Sequence, residues 1–195
     1  VSNRSTQLKY QTLKLNIPNL ISLGRLISIP FTVWLILNGS MLLAFWVFVA
    51  AGFSDALDGY IAKRFNLRSE IGAFLDPIAD KALLVCVFIT LGAAGYIEVW
   101  LVILVVFRDG LIVAGASVYQ ILFQNLTMHP LIISKINTTF QFLMVMLVMG
   151  AAGFSIEAEL AIQIAGMAVA VTSILSGAPY VIIWSRRAAA MEPGE

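Results

Sequence analysis

Four aspartates carry the most chemistry in this sequence. Asp55 and Asp58 stand three residues apart, Asp76 and Asp80 four apart, and apolar runs flank both pairs. On helices, either spacing brings two carboxylates onto one face. An unpaired ionisable group inside a membrane span costs on the order of several kcal/mol, so such groups are functional candidates. Carboxylates at close range also suppress one another's ionisation unless a counter-charge is present. Divalent cations supply that charge. With no His or Cys beside them, hard oxygen donors point to Mg²⁺, Mn²⁺ or Ca²⁺ rather than zinc, and a phosphate-bearing substrate would complete the coordination. A simpler reading pairs the acids with Lys63, Arg64, Arg68 and Lys81 at the membrane interface. It leaves the small residues unexplained: Gly59 follows Asp58, Ala62 lies a turn further on, and Gly72 precedes Asp76 by one turn. Small residues let helices approach closely. Interleaved with acids, they also leave room for a nucleotide and its phosphates.

The elements that must position these residues are written in the hydropathy. The 195-residue chain is 60% apolar with a mean hydropathy of +0.93, against about 45–50% apolar in soluble domains. Its solvent is largely lipid. A spanning helix takes roughly 20 apolar residues, and apolar runs near 18–37, 41–62, 73–95, 99–123, 131–153 and 159–184 predict six. The expected fold is an all-α integral membrane protein with six transmembrane helices. Residues 1–16 form an N-terminal amphipathic, interfacial segment, residues 17–187 the helical domain, and 188–195 a tail. Turns are expected at Asn38-Gly39-Ser40, from Gly92 to Glu98, and from Gly150 to Glu159. None of these contains Lys or Arg. The basic residues Arg4, Lys9, Lys14, Arg25, Lys63, Arg64, Arg68, Lys135, Arg186 and Arg187 fall on the other side if six spans alternate. The positive-inside rule then puts both termini and the second and fourth connections in the cytoplasm, with a bacterial inner membrane the expected location.

Other features have plainer readings. No cleavable signal peptide is evident. Cys86, alone in an apolar run, reads as a buried structural thiol, and Pro30 as a kink in the first span. Trp34, Trp46, Trp100 and Trp184 near span ends suit interfacial belts. The lone His129 lies in a loop beside Pro130 and gives little reason to expect a metal or catalytic role.

The run Asp55-Ala-Leu-Asp58-Gly59-Tyr-Ile-Ala62-Lys63, followed by eight residues to Gly72, three to Asp76 and three to Asp80, strongly resembles the signature of the CDP-alcohol phosphotransferase family, D-x-x-D-G-x-x-A-R-x8-G-x3-D-x3-D. One position departs: Lys63, followed by Arg64, stands where the family has Arg, so planar bidentate recognition is lost there. The resemblance implies a six-helix, usually dimeric fold with a cytoplasm-facing polar cavity. It implies two metal ions, Mg²⁺ or Mn²⁺, held by Asp55, Asp58 and Asp76, with Asp80 near the metals and acting as general base. Gly59, Ala62, Lys63 and Gly72 would shape the CMP site. Asn19 and Arg25, in Ile17-Pro-Asn-Leu-Ile-Ser-Leu-Gly-Arg25, are similar to the family's first-helix pattern, where the asparagine faces the nucleotide phosphates. The donor would be CDP-diacylglycerol; no nucleic-acid partner is expected.

The acceptor is read from a second place. Arg108-Asp109 interrupts an apolar run that extends from Leu101 to Val113. An internal ion pair is one explanation. A phosphate-bearing acceptor is a better one, with Arg108 as its bidentate ligand, Asp109 orienting it, and Lys135 or Arg64 adding charge. Pro130-Leu-Ile-Ile-Ser134-Lys135-Ile-Asn137-Thr138, with Gln141 a turn on, resembles the eukaryotic-type cardiolipin synthase branch of that family. This implies phosphatidylglycerol as acceptor, with glycerol 3-phosphate the alternative. A reading of another class, a cation or proton transporter, also uses acids within spans. It has little use for the Asp-Gly spacing and its basic neighbours.

Overall fold

The computed structural model describes residues 24–65, 70–123 and 132–189, and side-chain surroundings for 24–54, 79, 81–115 and 133–179. Six helices lie among the described residues, and no strand. They are α1 (Gly24–Leu37), α2 (Met41–Phe65), α3 (Glu70–Ala93), α4 (Val99–Phe123), α5 (Ile132–Phe154) and α6 (Glu159–Ala189). These match the apolar runs, with α6 extending a turn further than expected. The amphipathic segment 1–16 and the tail from 190 onward lie outside the described residues.

Helix ends follow backbone chemistry. Gly39, at φ 72°, terminates α1 in the left-handed region. Its N–H bonds the Ile36 carbonyl at 3.0 Å, while Ser40 N–H reaches back to Leu35 at 2.9 Å. This pairing satisfies carbonyls that the helix end would otherwise leave open, and glycine adopts it without a Cβ clash. Gly95, at φ 81°, also occupies the left-handed region, just after α3. Glu98 starts α4, its carbonyl accepting from Leu101 and Val102 at 3.0 and 3.2 Å.

The third expected turn needs correction. Gly150 and Gly153 belong to α5, and the break comes at Ser155, itself at φ 56°, with Ile156 N–H bonded to the Ala151 carbonyl. Packing is the reason these glycines are helical. A Cβ on Gly153 would stand 2.9 Å from Leu42 Cα, and one on Gly150 would stand 3.4 Å from the Phe45 ring. Small residues here let the end of α5 lie almost directly on α2.

The chain forms two compact units. The first lies within Val1–Ala94 and Met149–Ile156. In it Phe48, Val87, Phe88, Leu91 and Met149 are fully enclosed, and Phe45 meets Phe154 edge to face at 5.8 Å. The second, within Gly95–Val148 and Glu157–Glu195, packs α4 against α6 around Leu101, Val105, Val145, Val148 and Val169.

On α5 and α6 the outward faces are apolar while several inward positions are polar. On α6, Leu160, Ile164, Met167, Val171 and Ile174 form an exposed ridge at helical spacing, while Ser173 and Ser176 are buried. On α5, Ile133, Ile136, Phe140 and Leu143 are exposed while Asn137 and Gln141 are buried. Contiguous apolar ridges of this size are stable against lipid rather than water. Among the described residues, Ile133–Phe154 and Glu159–Pro179 have the length and composition to cross a membrane, and Gly24–Leu37, Met41–Ser54 and Lys81–Ala93 are shorter apolar helices. Trp34, Trp46 and Trp100 are exposed, as interfacial anchors must be. Two expectations change: Cys86 is half-buried rather than buried, and Arg25, grouped above with interfacial cations, is buried in α1.

Candidate functional site

Continuous helix carries both aspartate pairs. Asp55, Asp58, Gly59, Ala62, Lys63 and Arg64 lie in α2, and Gly72, Asp76 and Asp80 in α3. The helical register therefore puts Asp55 with Asp58, and Asp76 with Asp80, on one face of each helix, as the spacing predicts. The side-chain surroundings of these residues lie outside the described residues, as do Asn19 and His129. Beside them, Ala79 is fully buried between the third-helix acids, and Ser54 bonds its hydroxyl to the Ala50 carbonyl at 2.8 Å just before Asp55.

The second group of candidates is seen in full. Arg108 and Asp109 are both 3% exposed on α4. The guanidinium is clamped on three sides: Nε donates to Ser176 Oγ at 2.8 Å, one terminal nitrogen to Asp109 Oδ1 at 2.5 Å, and the other to Ser134 Oγ at 2.9 Å. Ser176 stands on α6 and Ser134 on α5, so a single side chain ties three helices. Gly177 faces the same side chain, a Cβ there lying 3.4 Å from Arg108 Cγ. The ion pair between Arg108 and Asp109 is thus real, but it engages one edge of a fork with five N–H groups. Two N–H groups remain after the three hydrogen bonds, on a planar donor suited to phosphate.

Asn137, one turn from Ser134, extends the polar cluster. Its Oδ1 lies 2.8 Å from Thr172 Oγ1 and 2.9 Å from Ser173 Oγ, and Ser176 Oγ lies 3.1 Å from the Ser173 carbonyl. Thr172 can instead give its proton to Ala168 or Val169 carbonyls, whereas Ser173 has Asn137 as its acceptor. That fixes the carboxamide with oxygen toward the hydroxyls. Its Nδ2 is then buried with no partner, and so are both Nε2 and Oε1 of Gln141 a turn beyond. Leaving such groups unsatisfied costs about 1–3 kcal/mol each.

Lys135 does not join Arg108. It is exposed on α5, and among the described residues its ammonium makes no hydrogen bond or ion pair. Ser134, its neighbour, takes the inward position. The residues missed in the sequence are Thr172, Ser173, Ser176 and Gly177. Their signal was present: hydroxyls at 172, 173 and 176 share the α6 face opposite the apolar ridge.

The chain is similar to known proteins along most of its length. Residues 15–176 match the model of the CDP-alcohol phosphatidyltransferase family. The chain is 41% identical, over 149 residues, to a protein of Oryza sativa subsp. japonica, CDP-diacylglycerol--glycerol-3-phosphate 3-phosphatidyltransferase 1, chloroplastic; this covers 67% of the chain and 45% of that protein. It is 32% identical over 180 residues to a Rattus norvegicus protein, cardiolipin synthase (CMP-forming), covering 84% of the chain and 60% of that protein. A Schizosaccharomyces pombe cardiolipin synthase (CMP-forming) / mitochondrial hydrolase fusion protein is 33% identical over 181 residues, 85% of the chain and 30% of that protein. The chain thus spans between 30% and 60% of the length of these relatives. With the family model covering the aspartate motif, α1 and α2 through most of α6, the chain belongs to the CDP-alcohol phosphatidyltransferase family.

Proposed function

We propose that this chain transfers the phosphatidyl group of CDP-diacylglycerol to the free hydroxyl of phosphatidylglycerol, giving cardiolipin and CMP. The observation that carries the reaction class is the aspartate motif, set on two helices within the family match. The acceptor reading is supported by two cardiolipin synthases that align over 84–85% of the chain. It also draws on the buried Arg108, whose two remaining N–H groups suit a phosphodiester.

The donor set fits divalent cations. Asp55, Asp58, Asp76 and Asp80 offer carboxylate oxygen only, the chemistry of Mg²⁺ or Mn²⁺ rather than of zinc. These residues would hold two ions, which when bound neutralise the pyrophosphate and polarise the reacting phosphorus. In the reaction, Asp80 takes the proton of the acceptor hydroxyl. The hydroxyl oxygen forms a bond to the phosphorus nearest the diacylglycerol, the bond to the bridging pyrophosphate oxygen breaks, and CMP leaves with that electron pair. Asn19, Gly59, Ala62, Lys63 and Gly72 shape the nucleotide site, and Lys63 or Arg64 supplies the cation that the family's arginine provides. Arg108 holds the acceptor phosphate, oriented by Asp109. Lys135 and Arg64 contribute charge at the cytoplasmic surface.

Glycerol 3-phosphate is the second reading, favoured by the 41% identity with the rice relative. The transporter alternative gains nothing from the family match. The setting proposed is a multi-pass membrane enzyme, a homodimer with termini and site on the side of the basic residues. Relatives from bacteria and eukaryotes alike support the membrane more than any one organelle. The test is an acceptor panel: purified protein with labelled CDP-diacylglycerol, Mg²⁺ and either phosphatidylglycerol, glycerol 3-phosphate, inositol phosphate or serine. Phosphatidylglycerol is expected to release CMP fastest and yield cardiolipin. Faster release with glycerol 3-phosphate would overturn the acceptor, and none with any acceptor would overturn the reaction.

A further inference from the structure

The polar core of α4, α5 and α6 contains more hydrogen-bonding capacity than the protein itself uses. Gln141 is fully buried, at 0% exposure, with its amide nitrogen and carbonyl oxygen both unpartnered, and Asn137 leaves its amide nitrogen unpartnered one turn away. Neither side chain is needed to fill volume, which Leu or Met would fill without a polar atom. Such groups call for a polar occupant. An amide nitrogen beside a complete carboxamide offers both donors and an acceptor, the complement of an alcohol, which gives one proton and accepts others.

Their position relative to Arg108 narrows the choice. Ser134, which bonds Arg108, lies one turn before Asn137, about 4.5 Å along the helix axis at the standard rise. Helical side chains lean toward the N-terminus, so Gln141 leans over the turn that holds Asn137. Asn137 and Arg108 are moreover both anchored to the same stretch of α6: Ser173 Oγ donates to Asn137 Oδ1, while Ser176 Oγ donates to the Ser173 backbone carbonyl and accepts from Arg108 Nε. A phosphate on Arg108 would therefore have unpartnered amide groups along α5 from its Ser134 contact, Asn137 one turn and Gln141 two turns on.

We propose that Asn137 and Gln141 form a hydroxyl-reading subsite that recognises the secondary alcohol of a glycerophosphate acceptor, the bystander group that does not attack. This rests on the proposed transfer reaction. It applies equally to phosphatidylglycerol and to glycerol 3-phosphate, which share a vicinal diol attached to phosphate. The subsite makes the enzyme choose a glycerol headgroup over one with a single reactive hydroxyl.

Three forms of the full chain, wild type, Gln141→Met and Asn137→Leu, are compared in detergent micelles. Each receives CDP-diacylglycerol, Mg²⁺ and one of three acceptors: phosphatidylglycerol, glycerol 3-phosphate, or phosphatidylpropanediol, which keeps the terminal hydroxyl and lacks the secondary one. Wild type is expected to prefer phosphatidylglycerol over phosphatidylpropanediol at least tenfold in kcat/KM. Gln141→Met is expected to cut that preference to threefold or less, by raising KM for the glycerol acceptor while KM for CDP-diacylglycerol stays fixed. Thermal stability of the variant should hold or rise, because an unsatisfied buried amide has been replaced by an apolar side chain. The better natural acceptor identifies which source fills the site. Unchanged preference in both variants, with a raised Tm, would assign the carboxamides to packing alone and overturn the proposal. Loss of stability with Gln141→Met is checked against Asn137→Leu, and retained preference in either folded variant counts against it. Failure of wild type to release CMP with any acceptor would refute the transfer reaction instead.

Discussion

Arg108 shows how a single residue's partners bear on two readings that the sequence alone leaves side by side. A charge in an apolar run requires compensation, and Asp109 next to it invites the ion-pair explanation. The structure supplies that pair and adds Ser134 and Ser176 from two other helices. Three hydrogen bonds fix the guanidinium plane and leave two of its N–H groups unengaged among the described residues. Arg108→Lys should keep the charge but lose the fork. A charge-assisted hydrogen bond contributes about 1.5–3 kcal/mol, so KM for the acceptor is expected to rise roughly ten- to 100-fold with KM for CDP-diacylglycerol unchanged; equal effects on both would deny Arg108 an acceptor role. The arginine was legible because its cost in lipid announces it. The serines were not: a hydroxyl in a span satisfies itself on its own helix, as Ser54 and Thr90 do, so its type alone does not mark it as a partner. Lys135 carries two readings for the opposite reason, because a cation at a helix start also satisfies topology.

At the scale of the element, hydropathy marked all six helices, and the Asn38-Gly39-Ser40 turn carried its own chemistry. The error at Gly150 and Gly153 arose because glycine serves two ends: it breaks helices where φ must be positive and it permits contact where backbones meet. Composition does not distinguish them. Ser155, which does occupy the left-handed position, looks ordinary in sequence. Two variants separate these roles in thermal unfolding in detergent. Gly153→Ala should lower stability by about 1–3 kcal/mol, since the new Cβ would press on Leu42 backbone that cannot give way. Ser155→Gly should raise it by roughly 0.5–1 kcal/mol by relieving the left-handed strain of a non-glycine residue. A neutral Gly153→Ala would mean α5 and α2 lie further apart than described.

The molecule as a whole is a membrane protein that exposes apolar ridges and, on α5 and α6, buries polar side chains beside its apolar core. That arrangement is invisible to composition, which reports only that lipid is the solvent; it emerges once exposed ridges on α5 and α6 are set against the buried Asn137, Gln141 and Ser176. The proposed six-span topology predicts sidedness. In a Cys86→Ala background, cysteines at Asn38 and Glu157 should react with an impermeant maleimide from the outer face of right-side-out vesicles, and one at Met191 only after permeabilisation. Labelling of Asn38 and Met191 from the same face would require an odd number of spans. The central claim is chemical, and it is tested most directly by CMP release from labelled CDP-diacylglycerol in the presence of phosphatidylglycerol and Mg²⁺, comparing wild type with Asp80→Asn. Wild type should release CMP and form cardiolipin, while the isosteric variant, unable to take the hydroxyl proton, should lose turnover while remaining folded. CMP release by Asp80→Asn at the wild-type rate would contradict the assignment of the general base, and none by wild type with any acceptor would contradict the transfer itself.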